Sequence, residues 1–325
     1  MNQPCLVADI GGSNARFGLV EKSGGSVVHV RTLPVAAHAG LAEAVESYLA
    51  GLPGGADALP IKPVLGAVAV ATAIAGDRVE FTNSPWSFSI EAVRTRLGLD
   101  KLLVLNDFEA LALSLPRLRG DQLHAPDGLP TPKGTLAVIG PGTGLGVGGV
   151  IETAHGWVAL PGEGGHATLA PADDYESELL ALVRRDYAHV SAERLLSGIG
   201  LPVLHGAVAR QAGHMVAPAL TAEQIVEAGT TGSDALCVRT LEVFCALLGG
   251  FAGSVALTLG ARGGVYIGGG IVPRLGELFF RSRFRERFEA KGRFRGYLEV
   301  VPTVLITDTL AALSGAALAL EQIDL

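Results

Sequence analysis

Positive charge is scarce in this chain. Lys and Arg number 25 against 32 Asp and Glu, a formal net charge of −7. A protein that grips a phosphate backbone needs a basic footprint, so nucleic acid is not an expected partner. The one basic concentration, Arg281, Arg283, Arg285 and Arg287, is interleaved with Glu286 and Glu289, the pattern of a solvated helix face. Cysteine is equally sparse: Cys5, Cys237 and Cys245 form no CxxC pair and no ligand ladder. A zinc site and a disulfide framework are both unsupported, and the reducing cytoplasm is the expected location. The N-terminus lacks a basic region and reaches Asp9 early, so no signal peptide is expected. Charged residues amount to 18%, while hydrophobic ones reach 49% of 325 residues. That composition excludes a disordered chain and suggests about two packed domains.

Residues 243–261 carry no charged side chain, a run long enough to span a membrane. Gly249, Gly250, Gly253, Ser254, Thr258 and Gly260 interrupt it, without aromatic anchors or a one-sided basic flank. Small residues at this density predict a tightly packed interior helix, and no membrane partner is expected.

The hydrophobic pattern alternates between strand and helix periods. Three consecutive antiparallel strands are predicted over 5–10, 16–20 and 26–33. A helix follows at 41–49, a strand at 64–71, a helix at 90–97, a short strand at 102–105 and a helix at 108–115, stopped by Pro116. The Pro-, Gly- and Asp-rich stretch 119–134 reads as a surface loop or linker. Strands are then predicted at 135–139, 147–152 and 157–160, a mainly helical region beyond 170, a strand at 264–267 and a final amphipathic helix at 310–320. Strand, glycine turn and returning strand therefore occur near residue 5 and again near residue 135, a weak internal duplication. Alternating elements of this kind build α/β layers, with ligands at the carboxyl ends of strands.

Three glycine turns follow apolar strands: Asp9-Ile10-Gly11-Gly12-Ser13-Asn14, residues 140–146 with Gly142, Thr143, Gly144 and Gly146, and Gly268-Gly269-Gly270. Without a Cβ, backbone N–H groups can approach phosphate closely. Asp9 in the first turn suits hydrated Mg²⁺ better than bare phosphate. No GxxxxGK[ST] motif is present, and the GxGxxG match at 144–149 runs into strand-like Val150-Ile151 rather than a helix, so neither a Walker loop nor a dinucleotide fold is supported. Asn106-Asp107 opens a helix directly after a buried strand. Such a pair commonly caps a helix, and an Asp in a cleft can also take a proton from a hydroxyl during phosphoryl transfer. Glu163 and His166 share a glycine-rich loop, and Glu193 follows in His189-Val-Ser-Ala-Glu193. These three lack the HExxH metal spacing. A surface turn and an ordinary first-turn acid remain the alternatives for them.

In this order the motifs resemble the bacterial glucokinase family, among the sugar kinases that share the actin and hexokinase fold. The matching segments are Asp9 to Arg16, Thr82-Asn83 with Trp86-Ser-Phe-Ser-Ile90, Asn106-Asp107-Phe108, Gly140 to Gly146, Leu160 to His166, His189 to Arg194 and Gly268 to Arg274. Ser13 stands where many relatives carry Thr, and the stretch 70–74 lacks a Pro often found there. The resemblance implies a two-domain actin/hexokinase-like (ribonuclease H-like) α/β fold with an interdomain active-site cleft. Its small domain would span 1–116, completed by a helix within 308–325, and its large domain 117–307. It implies phosphorylation of the 6-hydroxyl of glucose by ATP with Mg²⁺, in a cytoplasmic homodimer. Asp107 would be the base. Asn106, Asp107, Glu163, His166 and Glu193 would hold the sugar. Ala8, Asp9, Ile10, Gly11, Gly12, Ser13, Asn14, Gly142, Thr143, Gly144, Gly146 and Gly269 would hold the nucleotide, with Asp9 reaching Mg²⁺ through water. A kinase for another hexose, a sugar sensor without turnover and an actin-like ATPase or assembly protein are the alternatives.

Overall fold

The computed structural model describes residues 4–22, 24–52, 62–72, 74–81, 84–126, 128–214 and 220–322. Ala73 and the Thr82-Asn83 pair of the resemblance lie outside the described residues.

In chain order the first half runs β1 Cys5–Ile10, β2 Asn14–Val20, β3 Val27–Pro34, α1 Leu41–Ala50, β4 Leu65–Val70, β5 Arg78–Glu80, β6 Ser87–Ser89, α2 Ile90–Leu97, β7 Lys101–Asn106 and α3 Asp107–Ser114. Then come β8 Leu123–His124, β9 Thr135–Pro141, β10 Leu145–Thr153, β11 Gly156–Leu160, α4 Asp174–Val183, α5 Leu201–Gln211, α6 Ala222–Thr231 and α7 Ala235–Leu259. The chain closes with β12 Gly264–Ile267, the short helices α8 Val272–Leu275, α9 Glu277–Arg281, α10 Phe284–Glu289 and α11 Arg295–Glu299, then β13 Thr303–Ile306 and α12 Ala311–Glu321. Local chemistry sets several of these limits. The Ser89 hydroxyl accepts from the Ala92 N–H to start α2, and Gly98 at φ 66° ends it.

The chain divides into two compact units, one of residues 1–118, 150–161 and 309–325, the other of 119–149 and 162–308. The division places 150–161 with the first unit, whereas the resemblance implied one large domain over 117–307.

The first unit holds a sheet ordered β3-β2-β1-β4-β7. β1 runs antiparallel to β2 and parallel to β4, which is parallel to β7. β1 shows the strand period at work. Leu6, Ala8 and Ile10 join a core with Leu41, Val45 and Tyr48 of α1. Cys5 and Val7 point the other way, into a cluster with Leu313, Ala316, Ala317 and Leu320 of α12. The final helix was expected to be amphipathic, yet Ala311, Leu313 and residues 315–320 are all buried. A helix covered on both the sheet side and the α3 side has no wet face to mark with polar residues. At its crossing with α3, a Cβ on Gly315 would fall on the Ala110 carbonyl.

The second sheet is ordered β11-β10-β9-β12-β13-β8. Its first five members repeat the order of the first sheet: third, second, first, fourth, fifth. The weak duplication in the sequence is thus a duplication of topology. β12 is parallel to both β9 and β13. Besides the paired β5 and β6, two strands of this sheet departed from expectation. β8 lies inside the stretch expected to be a loop and pairs antiparallel with β13, and β13, an apolar and β-branched run of four residues, was not among the expected strands. A strand of two residues is too short to display a period.

α7 is long and apolar enough to cross a membrane by length and composition, but residues from Cys237 to Ala256 on most of its surface are buried. Its small residues have a packing reason: Cβ atoms on Gly249 and Gly253 would fall on the Phe284 and Phe288 carbonyls of α10. Arg287 of α10 corrects the expectation of a solvated basic face. It is 8% exposed and pairs with Glu176 of α4, 4% exposed, and with Asp173 at 3.2 Å. Phe284 and Phe288 seat α10 in the core, which carries Arg287 inward to the start of α4.

Candidate functional site

In the first unit, parallel register assembles one edge. Ile10 aligns with Val70, and Val70 with Asn106. The turn after β1 and the corner after β7 therefore end on the same edge of one sheet with one strand between them, about 10 Å at the usual interstrand spacing. Gly11 N–H donates to Asn14 O at 2.9 Å to close the β1–β2 turn. Ser13 and Asn14 are exposed, whereas Ala8 and Ile10 bury their side chains and offer only backbone to a ligand. Asp9 accepts from Arg16 Nη1 at 3.2 Å, and the same guanidinium donates to Thr309 O at 3.4 Å. Burial pushes the Asp9 carboxyl above its ordinary value, and the adjacent Arg16 pulls it partly back.

At the β7 corner, Asn106 caps α3. Its Oδ1 accepts from Phe108 N–H at 2.9 Å and its Nδ2 donates to Thr72 O at 3.3 Å. Asp107 Oδ1 accepts from the same Phe108 N–H at 2.9 Å. The capping alternative is therefore real for Asn106, and Asp107 Oδ1 shares the same donor. The positive end of α3 stabilises negative charge at that position.

In the second unit, β9 and β12 end side by side, with Ile139 aligned to Ile267. The turn after β9 spans residues 142–144, so Gly146 lies within β10 and not in the turn as expected. Gly142 N–H donates to Gly144 O at 2.9 Å. Gly198 N–H donates to Gly142 O at 2.7 Å and Ile199 N–H to Thr143 O at 3.2 Å. Gly269 has φ +77°, and a Cβ there would fall on the Pro141 carbonyl, so the third glycine turn lies against the second.

Glu163, His166 and Glu193 are brought together with this turn. Glu163 and His166 are exposed and bracket a single 3-10 turn, with His166 N–H donating to Glu163 O at 3.0 Å. Glu193 is not in a helix's first turn; residues 191–200 form a chain of turns. Its Oε2 accepts from Leu145 N–H at 2.9 Å, and its Oε1 lies 3.8 Å from His166 Nδ1. The residues that sequence reasoning missed are Leu145, Gly198 and Ile199, which act through backbone groups. The Ser-Gly-Ile-Gly run at 197–200 was the available signal.

Among the described residues no group of three or more His, Cys, Asp or Glu could hold a metal ion. Asp9 is one partly buried carboxylate at a glycine turn. That fits Mg²⁺ that keeps its waters and rests mainly on phosphate, and it does not fit an all-protein cage.

The profile of the glucokinase family matches residues 6–323. A protein named Glucokinase from Aromatoleum aromaticum is 49% identical over 325 residues, covering 98% of this chain and 95% of the relative. A protein named Bifunctional protein glk from Paraburkholderia xenovorans is 47% identical over 99% of this chain, which spans 49% of that relative's length. The crystal structure of a glucokinase from an Antarctic psychrotroph superposes with a TM-score of 0.90 at 38% identity, covering 99% of both chains. A ROK-family glucokinase from Streptomyces griseus, solved with glucose and AMPPNP, shares the fold at a TM-score of 0.62 and 20% identity, covering 97% of this chain and 98% of that one. The repeated strand order, with glycine turns at strand ends, is that of the actin- and hexokinase-like two-domain α/β proteins. Within them, the chain belongs to the glucokinase family.

Proposed function

We propose that this protein transfers the γ-phosphoryl group of ATP to the 6-hydroxyl of glucose, releasing glucose 6-phosphate and ADP. The observation that carries the reading is the 49% identity to a named glucokinase across 98% of the chain. The strand-end position of Asp107, on one sheet edge with the glycine turn after β1, supports it from the side of chemistry.

In this proposal Asp107 is the base. Its carboxylate accepts the proton of the 6-hydroxyl while that oxygen bonds to the γ-phosphorus and the bond to the β–γ bridging oxygen breaks. Proton acceptance of this kind contributes about 10²–10⁴-fold, and the remaining acceleration comes from positioning and charge stabilisation. Asn106, Glu163, His166 and Glu193 hydrogen-bond the other sugar hydroxyls: carboxylates and the Asn carbonyl accept, while the imidazole N–H and Asn amide donate. Backbone N–H groups of residues 8–14 and 142–144, with Gly269, receive the nucleotide. Gly146 contributes from the start of β10. Asp9 would hold Mg²⁺ through water, and the ion would neutralise charge on the phosphates. The two units serve as the small and large domains of one enzyme, and the working form is a cytoplasmic homodimer.

A coupled ADP-release assay over a panel of hexoses tests the reading. Glucose is expected to give the highest kcat/KM. ATP turnover that does not depend on any sugar would refute it, and a strong preference for another hexose would replace the acceptor.

A further inference from the structure

We infer that Glu193 makes glucose and nucleotide binding cooperative within the second unit, by tying the sugar-side loop to the glycine turn on the nucleotide side. The inference rests on the function proposed above and adds a link that the assignment of sugar ligands does not contain.

The link is a strap of backbone. Ala192 N–H donates to Ala167 O and Glu193 N–H to Gly165 O, both at 2.9 Å, which fastens the strap to the loop carrying Glu163 and His166. A few residues on, Gly198 and Ile199 donate to the carbonyls of Gly142 and Thr143, which fastens its other end to the glycine turn. The Glu193 side chain spans the same two structures directly. One carboxylate oxygen accepts from Leu145 N–H at the exit of the turn, and the other faces His166 Nδ1 at 3.8 Å.

Gly144 is what allows this reach. A Cβ at that position would stand 2.6 Å from Glu193 Oε2. Its φ is outside the left-handed region, so the backbone itself does not demand glycine; the neighbouring carboxylate does. Sugar hydroxyls that engage Glu193 and His166 fix the carboxylate, and the fixed carboxylate holds the turn in the geometry that receives phosphate. By linkage, nucleotide then favours sugar by the same factor.

The test is calorimetric titration of the Mg²⁺ complex of AMPPNP into protein with and without saturating glucose, for wild type, Gly144→Ala and Glu193→Gln. In the wild type glucose is expected to tighten the analogue on the order of tenfold, within the usual range of coupling between sites. In Gly144→Ala, read at glucose concentrations saturating for that variant because the added Cβ also displaces Glu193, the factor falls toward one. Steady-state kinetics should show the same split: the ATP KM no longer responds to glucose concentration. A wild-type factor of one, or an undiminished factor in Gly144→Ala, overturns the inference. If circular dichroism shows Gly144→Ala unfolded, Glu193→Gln decides at glucose concentrations saturating for that variant, because the amide loses the charge that strengthens the Leu145 contact; an undiminished factor there overturns it equally. Failure of the proposed function looks different, as a wild type to which glucose does not bind at all.

Discussion

Asp107→Asn separates chemistry from structure at the β7 corner. The substitution keeps size and keeps an oxygen that can accept from Phe108 N–H, now at 2.9 Å from Asp107 Oδ1. Asn106 Oδ1 accepts from the same N–H at 2.9 Å, so the start of α3 retains its cap. What is lost is one negative charge in the first turn of a helix, about 0.3–1 kcal/mol of stability. At roughly 1.5 °C per kcal/mol for a chain of this length, from about 2.1 cal/mol/K per residue, the melting temperature should fall by no more than about 2 °C. The rate effect is of another order. Loss of the proton acceptor removes about 10²–10⁴-fold, equivalent to about 2.7–5.4 kcal/mol at 1.36 kcal/mol per decade. Glucose binding should persist, because an amide still makes hydrogen bonds to a hydroxyl. The measurements are kcat by coupled ADP release, glucose binding by calorimetry and a thermal melt. Turnover within tenfold of wild type would refute the assignment of Asp107. So would equal loss of binding and turnover in a folded variant, which would make it a sugar ligand alone.

Neighbouring glycines of α7 should respond with opposite signs. Gly249→Ala drives a Cβ onto the Phe284 carbonyl and should cost about 1–3 kcal/mol, whereas Gly250→Ala meets nothing within 4 Å and should gain about 0.5–1 kcal/mol from helix propensity; equal shifts in denaturant midpoint would refute the packing argument. Arg287→Met strands the buried Glu176 carboxylate and should cost about 3–5 kcal/mol, most of it recovered when Glu176→Leu is added; a double variant no more stable than the single one would contradict this. Asp9 gives a pH signature. Its folded-state pKa is raised, so above that value the wild type carries the cost of an ionised buried group, and the cost disappears as pH falls and the carboxyl takes a proton. Asp9→Asn should therefore melt above wild type at neutral pH, with the gap closing through the acid range, while ATP-dependent turnover drops. A gap independent of pH would sink that account.

Much of the architecture was legible because its signals are local. α2 was predicted at its observed limits, since Ser89 caps one end and Gly98 the other within three residues of the helix. The triple-strand openings near residues 5 and 135 announced themselves through apolar runs and glycine turns. Errors cluster where the deciding partner is distant. β8 lies in a stretch whose composition reads as loop, because its reason to extend is β13, far along the chain. Arg287 was placed in solvent because its partners, Asp173 and Glu176, belong to another helix. α12 was expected to have a wet face because its burial depends on β1, β4 and α3 together.

The same division runs through the site. Amino-acid order alone supplied the candidate residues and the cap that Asn106 places on the helix that Asp107 begins, because caps and tight turns are settled over a few residues. Tertiary structure decided which of them meet. The alignment of Ile10, Val70 and Asn106 comes from parallel register, and the hold of Glu193 on Leu145 spans a sequence separation of 48. Contacts of that length leave no periodic trace in the chain, since their geometry is set by how strands and straps pack rather than by any neighbour in sequence.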